Sequence, residues 1–288
     1  MAENNTIHDV SDTALWVAHY RALETKEKNP LFRDTLAEVL VGERGKKIAE
    51  NMKSSSKYTQ WAVIIRTYII DNFIQNLVRE GVDTIINLGA GLDTRPYRMD
   101  LPSHLKWIEV DYPHMIEHKE KLLAHEKPRV QLQRIKMDLA NNEERKKLLL
   151  KLGSETQKAM ILTEGVIPYL SEEHVADLAD ELNAIPSFKY WTTEYFSPLL
   201  YRYFQSSKQT QKMRNAPFRF FPKDWFDFFK QHGWVPKEIN YLQEATEKAG
   251  RKVPLPWFIN IFTLFTPKEK LIKYQRQAAY VLFTKEDH

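Results

Sequence analysis

Four stretches of this 288-residue chain carry residue types that could hold a small polar ligand. The first is NLGAGLDTRPYR, Asn87 to Arg98, in which Gly89, Ala90 and Gly91 follow the short apolar run Thr84 to Leu88. Glycines at the end of a strand let the chain turn tightly and let a ligand approach the backbone. With only 9 glycines in the whole chain, a pair this close marks backbone geometry that is required there. The second stretch is Glu109-Val110-Asp111, about twenty residues further on. A carboxylate at that interval in a nucleotide-binding sheet accepts hydrogen bonds from ribose hydroxyls. The third is Asp138-Leu139, whose carboxylate can accept from an exocyclic amine such as that of adenine. Thr163-Glu164-Gly165 is the fourth. Each also has a plainer reading: the glycines as a turn, Asp111 and Asp138 as caps of the helices that follow them. Four such stretches at successive strand ends say more together than singly, because ligands of open α/β sheets bind outside the carboxyl ends of the strands.

The elements that must position these residues follow from hydrophobic periodicity. Residues up to about 80 read as helices: Ala14 to Glu27, with Ser11 or Asp12 as cap, then Leu31 to Leu40, Glu43 to Met52, and a long helix from Tyr58 to Glu80 stopped by Gly81. The polar stretch Lys53 to Lys57 is the best early hinge. From Val82 strands alternate with helices. The expected strands are Thr84–Leu88, Leu105–Val110, Arg129–Met137, Ala159–Thr163, Phe188–Phe196 and Ala278–Thr284. Helices are expected at Pro113–Ala124, Asn141–Leu152 and Glu172–Ala184. This order predicts a parallel sheet wound by right-handed crossovers. The segment from Ser197 to about 232 is aromatic and basic and reads as a helical insertion or lid, with core packing its plainer role. The expected division is a helical cap over 1–57 and an α/β domain over 58–288 that carries this insertion.

Composition narrows the chemistry. Cysteine is absent, which excludes disulfides, thiolate metal sites and a cysteine nucleophile and agrees with a reducing cytoplasm. The polar N-terminus is no signal peptide, and no run approaches the ~18 apolar residues of a membrane span. A net charge of +4, with lysine-rich runs such as Glu143 to Lys147 reading as solvated helix faces, gives little support for nucleic-acid binding. No metal site is expected.

LGAGLDTRPYR, EVDYP, the DL pair and EGVIPYL together resemble the leucine carboxyl methyltransferase family, as does the N-terminal ALWVAHYRALETKEKNPLFRDTLAEVLVG, so the similarity covers roughly residues 12 to 185. The bacterial branch, similar to polyketide carboxyl methyltransferases of the tetracenomycin type, fits best. The resemblance implies a Rossmann-like class I fold with a mostly parallel seven-stranded sheet, and S-adenosyl-L-methionine as cofactor. It implies that the Gly89-Ala90-Gly91 loop lies against the methionine part, that Asp111 binds the ribose diol, and that Asp138 with the Leu139 backbone holds adenine. Arg66 would pair with the cofactor's carboxylate, and Glu164 would face its positive charge. Tyr169 could position substrate, although Pro168 departs from the apolar or Met residue more usual before the Tyr-Leu pair.

Acidic strand ends and one basic side chain suit this ligand's diol, amine, cationic and carboxylate groups. A nicotinamide dinucleotide instead carries a pyrophosphate and usually wants a complete G-x-G-x-x-G at a helix start. A carboxylate acceptor with a pKa near ~4 is already ionised, so no general base is required; a hydroxyl acceptor would need one, such as His19 or His114. Arg95, Arg98, Arg202 and Arg219 could clamp an anionic substrate, with structural ion pairs the plainer reading. The acceptor expected is a hydrophobic small-molecule carboxylic acid. Alternatives are a protein C-terminal carboxylate, a nicotinamide-dependent oxidoreductase, and a cofactor-binding protein without activity.

Overall fold

A computed structural model describes residues 10–51, 56–206, 217–254 and 267–286. Seven strands form one sheet: β1 (Thr84–Leu88), β2 (Lys106–Asp111), β3 (Gln131–Lys136), β4 (Ala159–Leu162), β5 (Phe188–Phe196), β6 (Trp234–Tyr241) and β7 (Ala278–Lys285). Their order is β3-β2-β1-β4-β5-β7-β6, and the pairs β3-β2, β2-β1, β1-β4 and β4-β5 are parallel. The fold is therefore the expected Rossmann-like α/β architecture with a mostly parallel sheet. Every residue of β1 and β4 is buried, as a central parallel strand covered on both faces requires.

The chain runs outward from β1 through β2 to β3 and then returns to lay β4 on the other side of β1. The strand order reverses between β1 and β4, and the crevice at such a switch point is where open α/β sheets take their ligands.

β6 is the strand that periodicity did not reveal. It contains Pro236, and Pro236, Lys237 and Glu238 are exposed. It lies at the sheet edge, where a missing N–H is tolerated and charge discourages pairing with another chain.

By contact density the described residues divide into two compact units. One takes those of Met1–Ile69, Tyr195–Asn215 and Ile239–Tyr280. Here α1 (Val10–Thr25) and α2 (Thr35–Asn51) pack around Trp16, Tyr20, Ile48 and Val63. The two helices expected on either side of Gly42 are present within α2, where the backbone leaves the helical region at Gly42 with φ 55°. A Cβ at Gly45 would stand 2.8 Å from Val41 and 3.3 Å from Leu15, so the helices approach closely there. α1 starts before the expected cap: Asp12 sits in its first turn and pairs with Arg44 at 2.7 Å. The hinge expected at Lys53 to Lys57 lies largely outside the described residues.

The second unit takes the described residues of Ile70–Glu194, Ala216–Glu238 and Val281–His288. α3 (Ser56–Arg79), closed by Gly81 with φ 89°, runs through the boundary between the units. The second unit's aromatic core gathers Trp191, Trp234, Phe283, Trp225, Phe229 and Phe220, with Trp191 5.2 Å from Phe229 and 5.5 Å from Trp234. Trp191 donates to Thr163 Oγ1 at 2.9 Å and Trp234 to the Ala179 carbonyl at 3.0 Å, which satisfies both indoles. The later part of the aromatic segment is thus core: Phe220, Trp225 and Phe229 are buried, the last two on α9 (Trp225–Gln231). Its earlier part contains α8 (Pro198–Ser206), and residues 207–216 lie outside those described.

Candidate functional site

The second unit brings the β1, β2, β3 and β4 ends to one edge of the parallel sheet. Past β1, Gly89 and Gly91 take φ 75° and 47°, where a side chain would be strained. A Cβ on Gly89 would also stand 2.4 Å from Val166 Cγ2. The Gly89 and Ala90 amides both donate to the Val110 carbonyl, at 2.8 and 3.2 Å, which ties this loop to the end of β2. There Asp111 accepts from the Gly91 amide at 2.6 Å through Oδ2 and from the Tyr112 amide at 2.7 Å through Oδ1.

A carboxylate offers about four lone-pair positions, so two donors still leave capacity for a vicinal diol. Asp111 is 8% exposed, and burial raises its pKa; the Gly91 and Tyr112 amides, then Lys119 and His114, pull it back down. It caps no helix: α5 (Pro113–Leu122) starts at Tyr112 without a side-chain cap.

Deeper in, Arg95 organises the acids around it. Its Nε donates to Asp71 Oδ1 at 2.7 Å, and its Nη1 to Asp93 Oδ2 at 2.9 Å and Glu164 Oε2 at 2.8 Å. Arg98 forks onto both oxygens of Asp71 at 2.6 and 2.8 Å, and Asn87 Nδ2 donates to Asp93 at 2.9 Å. Arg95 is 1% exposed; desolvation opposes its charge, and Asp93, Glu164 and Asp71 outweigh that, so it stays ionised. In this cluster three carboxylates, Asp71, Asp93 and Glu164, surround two guanidiniums. Arg95 and Arg98 form ion pairs, the plainer of their two expected readings. Asp71, Asp93 and Asn87 were not singled out from sequence; the LDTR string was visible, but no local signal points to Asp71 on α3.

At the β3 end Asp138 is exposed, and its Oδ1 accepts from the Ala140 amide at 2.9 Å. It is no helix cap either, since Asn141 caps α6 (Asn142–Ser154) by accepting from Glu144 N. Leu139 is half-buried, and its carbonyl accepts from Arg145 at 2.7 Å. After β4, Gly165 takes φ 71°, and its amide donates to the buried Glu194 at 3.4 Å. Tyr169 closes the turn Ile167–Tyr169 and meets Phe218 edge-on at 5.2 Å. The Pro168 carbonyl accepts the amides of Arg219 and Phe220, at 2.7 and 3.3 Å, which fastens this turn to the aromatic segment.

Arg66 is half-buried on the first unit's part of α3. His19 is half-buried on α1, where burial, then Lys26 and Lys46, lower its pKa. His114 is exposed and stacks on Tyr112 at 5.7 Å. Arg202 and Arg219 are exposed.

The loop after β1 is poorly made for a pyrophosphate. The helix that follows, α4 (Arg95–Arg98), is one turn long. Its first amide is taken by Asp93 Oδ1 at 2.9 Å, Pro96 has no N–H, and the amides of Tyr97 and Arg98 return to Thr94. A buried carboxylate therefore occupies the place where the dinucleotide motif presents free amides.

Comparison with known proteins bears on the fold and on the family. Solved structures share the fold: a DUF574 family protein from Streptomyces avermitilis aligns at TM-score 0.60 and 12% identity over 93% of this chain and 97% of that one. A provisionally named methyltransferase from Thermobifida fusca aligns at TM-score 0.53 and 13% identity over 94% of each chain. The model of the leucine carboxyl methyltransferase family matches residues 14–183, and the chain belongs to that family. A relative from Frankia alni, provisionally named an S-adenosyl-L-methionine-dependent methyltransferase, is 30% identical over 182 residues, 60% of this chain and 64% of the relative. The chain thus spans less than two thirds of that relative's length. A similarly named protein from Mycobacterium bovis is 28% identical over 273 residues, 85% of this chain and 82% of its own length.

Proposed function

We propose that the protein is an S-adenosyl-L-methionine-dependent methyltransferase that esterifies a carboxylate of a hydrophobic small molecule. The observation that carries this reading is the pair of acidic sites flanking the switch point: Asp111, held by two amides with acceptor capacity to spare, and the three carboxylates gathered around Arg95. That donor set fits a ligand with a diol at one place and a cation at another. When bound, the cofactor supplies a methyl group on positively charged sulfur.

The chain's own contributions are then binding and alignment. Asp111 accepts from the ribose hydroxyls, and Glu164, held by Arg95, lies toward the cationic end. The Gly89-Ala90-Gly91 loop gives the methionine part close access to backbone. Asp138 and Leu139 take adenine, and Arg66 takes the cofactor's carboxylate. Transfer to an ionised carboxylate moves no proton, so the residues need to align the acceptor and exclude water rather than supply a base. The family supports a carboxylate acceptor; a hydrophobic acid fits the aromatic residues around the Tyr169–Phe218 contact.

The test is calorimetric titration of the purified protein with S-adenosylhomocysteine, with NAD as paired control. Micromolar binding of the first and none of the second is expected. Binding of NAD alone would overturn the proposal. A screen of hydrophobic acids with methyl-labelled cofactor then examines the acceptor: label recovered only in base-stable products would rule out an ester.

A further inference from the structure

The run Glu143 to Lys147 reads as a solvated helix face, yet Arg145 in its middle is 3% exposed. Its Nε and Nη2 donate to the two oxygens of Glu181 at 2.8 and 3.0 Å. Glu181 lies on α7 (Glu172–Asn183), and the fork is the bidentate geometry that a lysine could not reproduce. Nη1 donates to the Leu139 carbonyl at 2.7 Å and to Asn142 Oδ1 at 3.0 Å. Asn142 in turn donates to Asp177 on α7 at 3.3 Å.

The Leu139 carbonyl belongs to the Leu139–Ala140 peptide. A trans peptide is planar, with its C=O and N–H on opposite edges. Here the N–H edge donates to Asp138 Oδ1 at 2.9 Å, while the C=O edge is held by Arg145. One rigid plane thus connects a buried guanidinium to an exposed carboxylate. Turning that plane would break both bonds and release the Asp138 side chain from its place in the loop.

We infer that Arg145 is a positioning residue for recognition of the cofactor's base. By holding the Leu139–Ala140 peptide it keeps one oxygen of Asp138 engaged within the loop and the other offered to an exocyclic amine. The consequence is discrimination between a 6-amino and a 6-oxo purine, set from a helix that does not itself reach the ligand. This inference rests on the assignment of Asp138 to adenine, so its test must separate the two.

The probes are S-adenosylhomocysteine and S-inosylhomocysteine, in which oxygen replaces the amine, titrated into the full chain. The wild-type protein is expected to prefer the amino ligand roughly ten- to hundredfold, as a hydrogen bond to a charged group allows, and Asp138→Ala to abolish that preference. Removing Arg145 alone would leave the half-buried Glu181 without its bidentate partner. The variants are therefore Arg145→Lys and the double substitution Arg145→Leu with Glu181→Leu. Both should lose most of the preference, chiefly through weaker binding of the amino ligand, and the double variant should unfold thermally much as the wild type does. A purely structural role would weaken both ligands by one factor and preserve their ratio. If Asp138→Ala loses the preference while both Arg145 variants keep it, the positioning role falls and the adenine assignment stands. If Asp138→Ala also keeps it, the adenine assignment falls and the inference with it.

Discussion

The acids at the ends of β1 and β4 and the acid at the end of β3 are held in opposite ways. Asp93 and Glu164 share one guanidinium that is 1% exposed, and with Asp71 they form a network of short charged hydrogen bonds. Asp138 is exposed, and among the described residues its side chain is tied only through the amide of Ala140. At the first place charge is desolvated, so its partners are part of the fold itself. At the second, solvent screens the carboxylate and the fold asks little of it. One kind of side chain, in one proposed site, is structural at one end and dispensable to stability at the other.

Replacing the hub should break this contrast most strongly. Arg95→Met leaves the buried Asp71 and Asp93 and the half-buried Glu164 with fewer cations, and breaking a buried pair costs about 3–5 kcal/mol. Urea denaturation should record a loss of that size, with Arg95→Lys recovering only part of it, because an ammonium cannot reproduce the planar fork. Asp138→Ala should stay within about 0.5 kcal/mol of wild type, as surface substitutions do. Equal losses for the two variants would erase the distinction.

A smaller effect is expected from the loop between the two regions. Gly89→Ala places a methyl group 2.4 Å from Val166 Cγ2 at φ 75°. Left-handed backbone costs about 1–2 kcal/mol for a non-glycine residue and overpacking about 1–3 kcal/mol. Adding Val166→Ala should return the packing part only, leaving the backbone part in the measured stability. Full recovery in the double variant would show that φ at Gly89 is not constrained.

This contrast also explains what could be read from the chain alone. The strand ends were legible because each follows an apolar run and because glycines are scarce, so Gly89, Gly91, Asp111, Asp138 and Glu164 stood out. What makes them a network was not. Asp71 sits on a helix otherwise defined by its apolar face, and nothing local says that it meets Arg95 and Arg98. Arg145 was hidden in a run of five charged residues, where period and composition suggest solvent and only tertiary packing against Glu181 buries it. β6 escaped for the converse reason: an edge strand with Pro236 and two charges lacks the apolar alternation that betrays its neighbours. Glycines and acids at strand ends leave a local trace, whereas the residues that brace them are fixed by long-range pairing.

The smallest expected effect concerns Asp111, which lies between the two extremes: buried like the Arg95 cluster but bonded by amides like Asp138. Burial raises its pKa in the fold above the ~3.9 of an unfolded chain. The folded protein therefore holds that proton more tightly than the unfolded one, and Asp111 opposes folding increasingly as pH rises from the unfolded value through the raised one. Asp111→Asn should then gain in thermal stability relative to wild type as ligand-free protein is taken from acid toward neutral pH. Affinity should move the other way. If ribose hydroxyls donate to the ionised carboxylate, wild-type affinity for S-adenosylhomocysteine should fall on acidification as the raised pKa of Asp111 is crossed. In Asp111→Asn it should be low throughout and lack that step. A wild-type affinity flat down to pH ~4 would mean that Asp111 is not the group that meets the diol, and the site would have to be rebuilt around the Arg95 cluster alone.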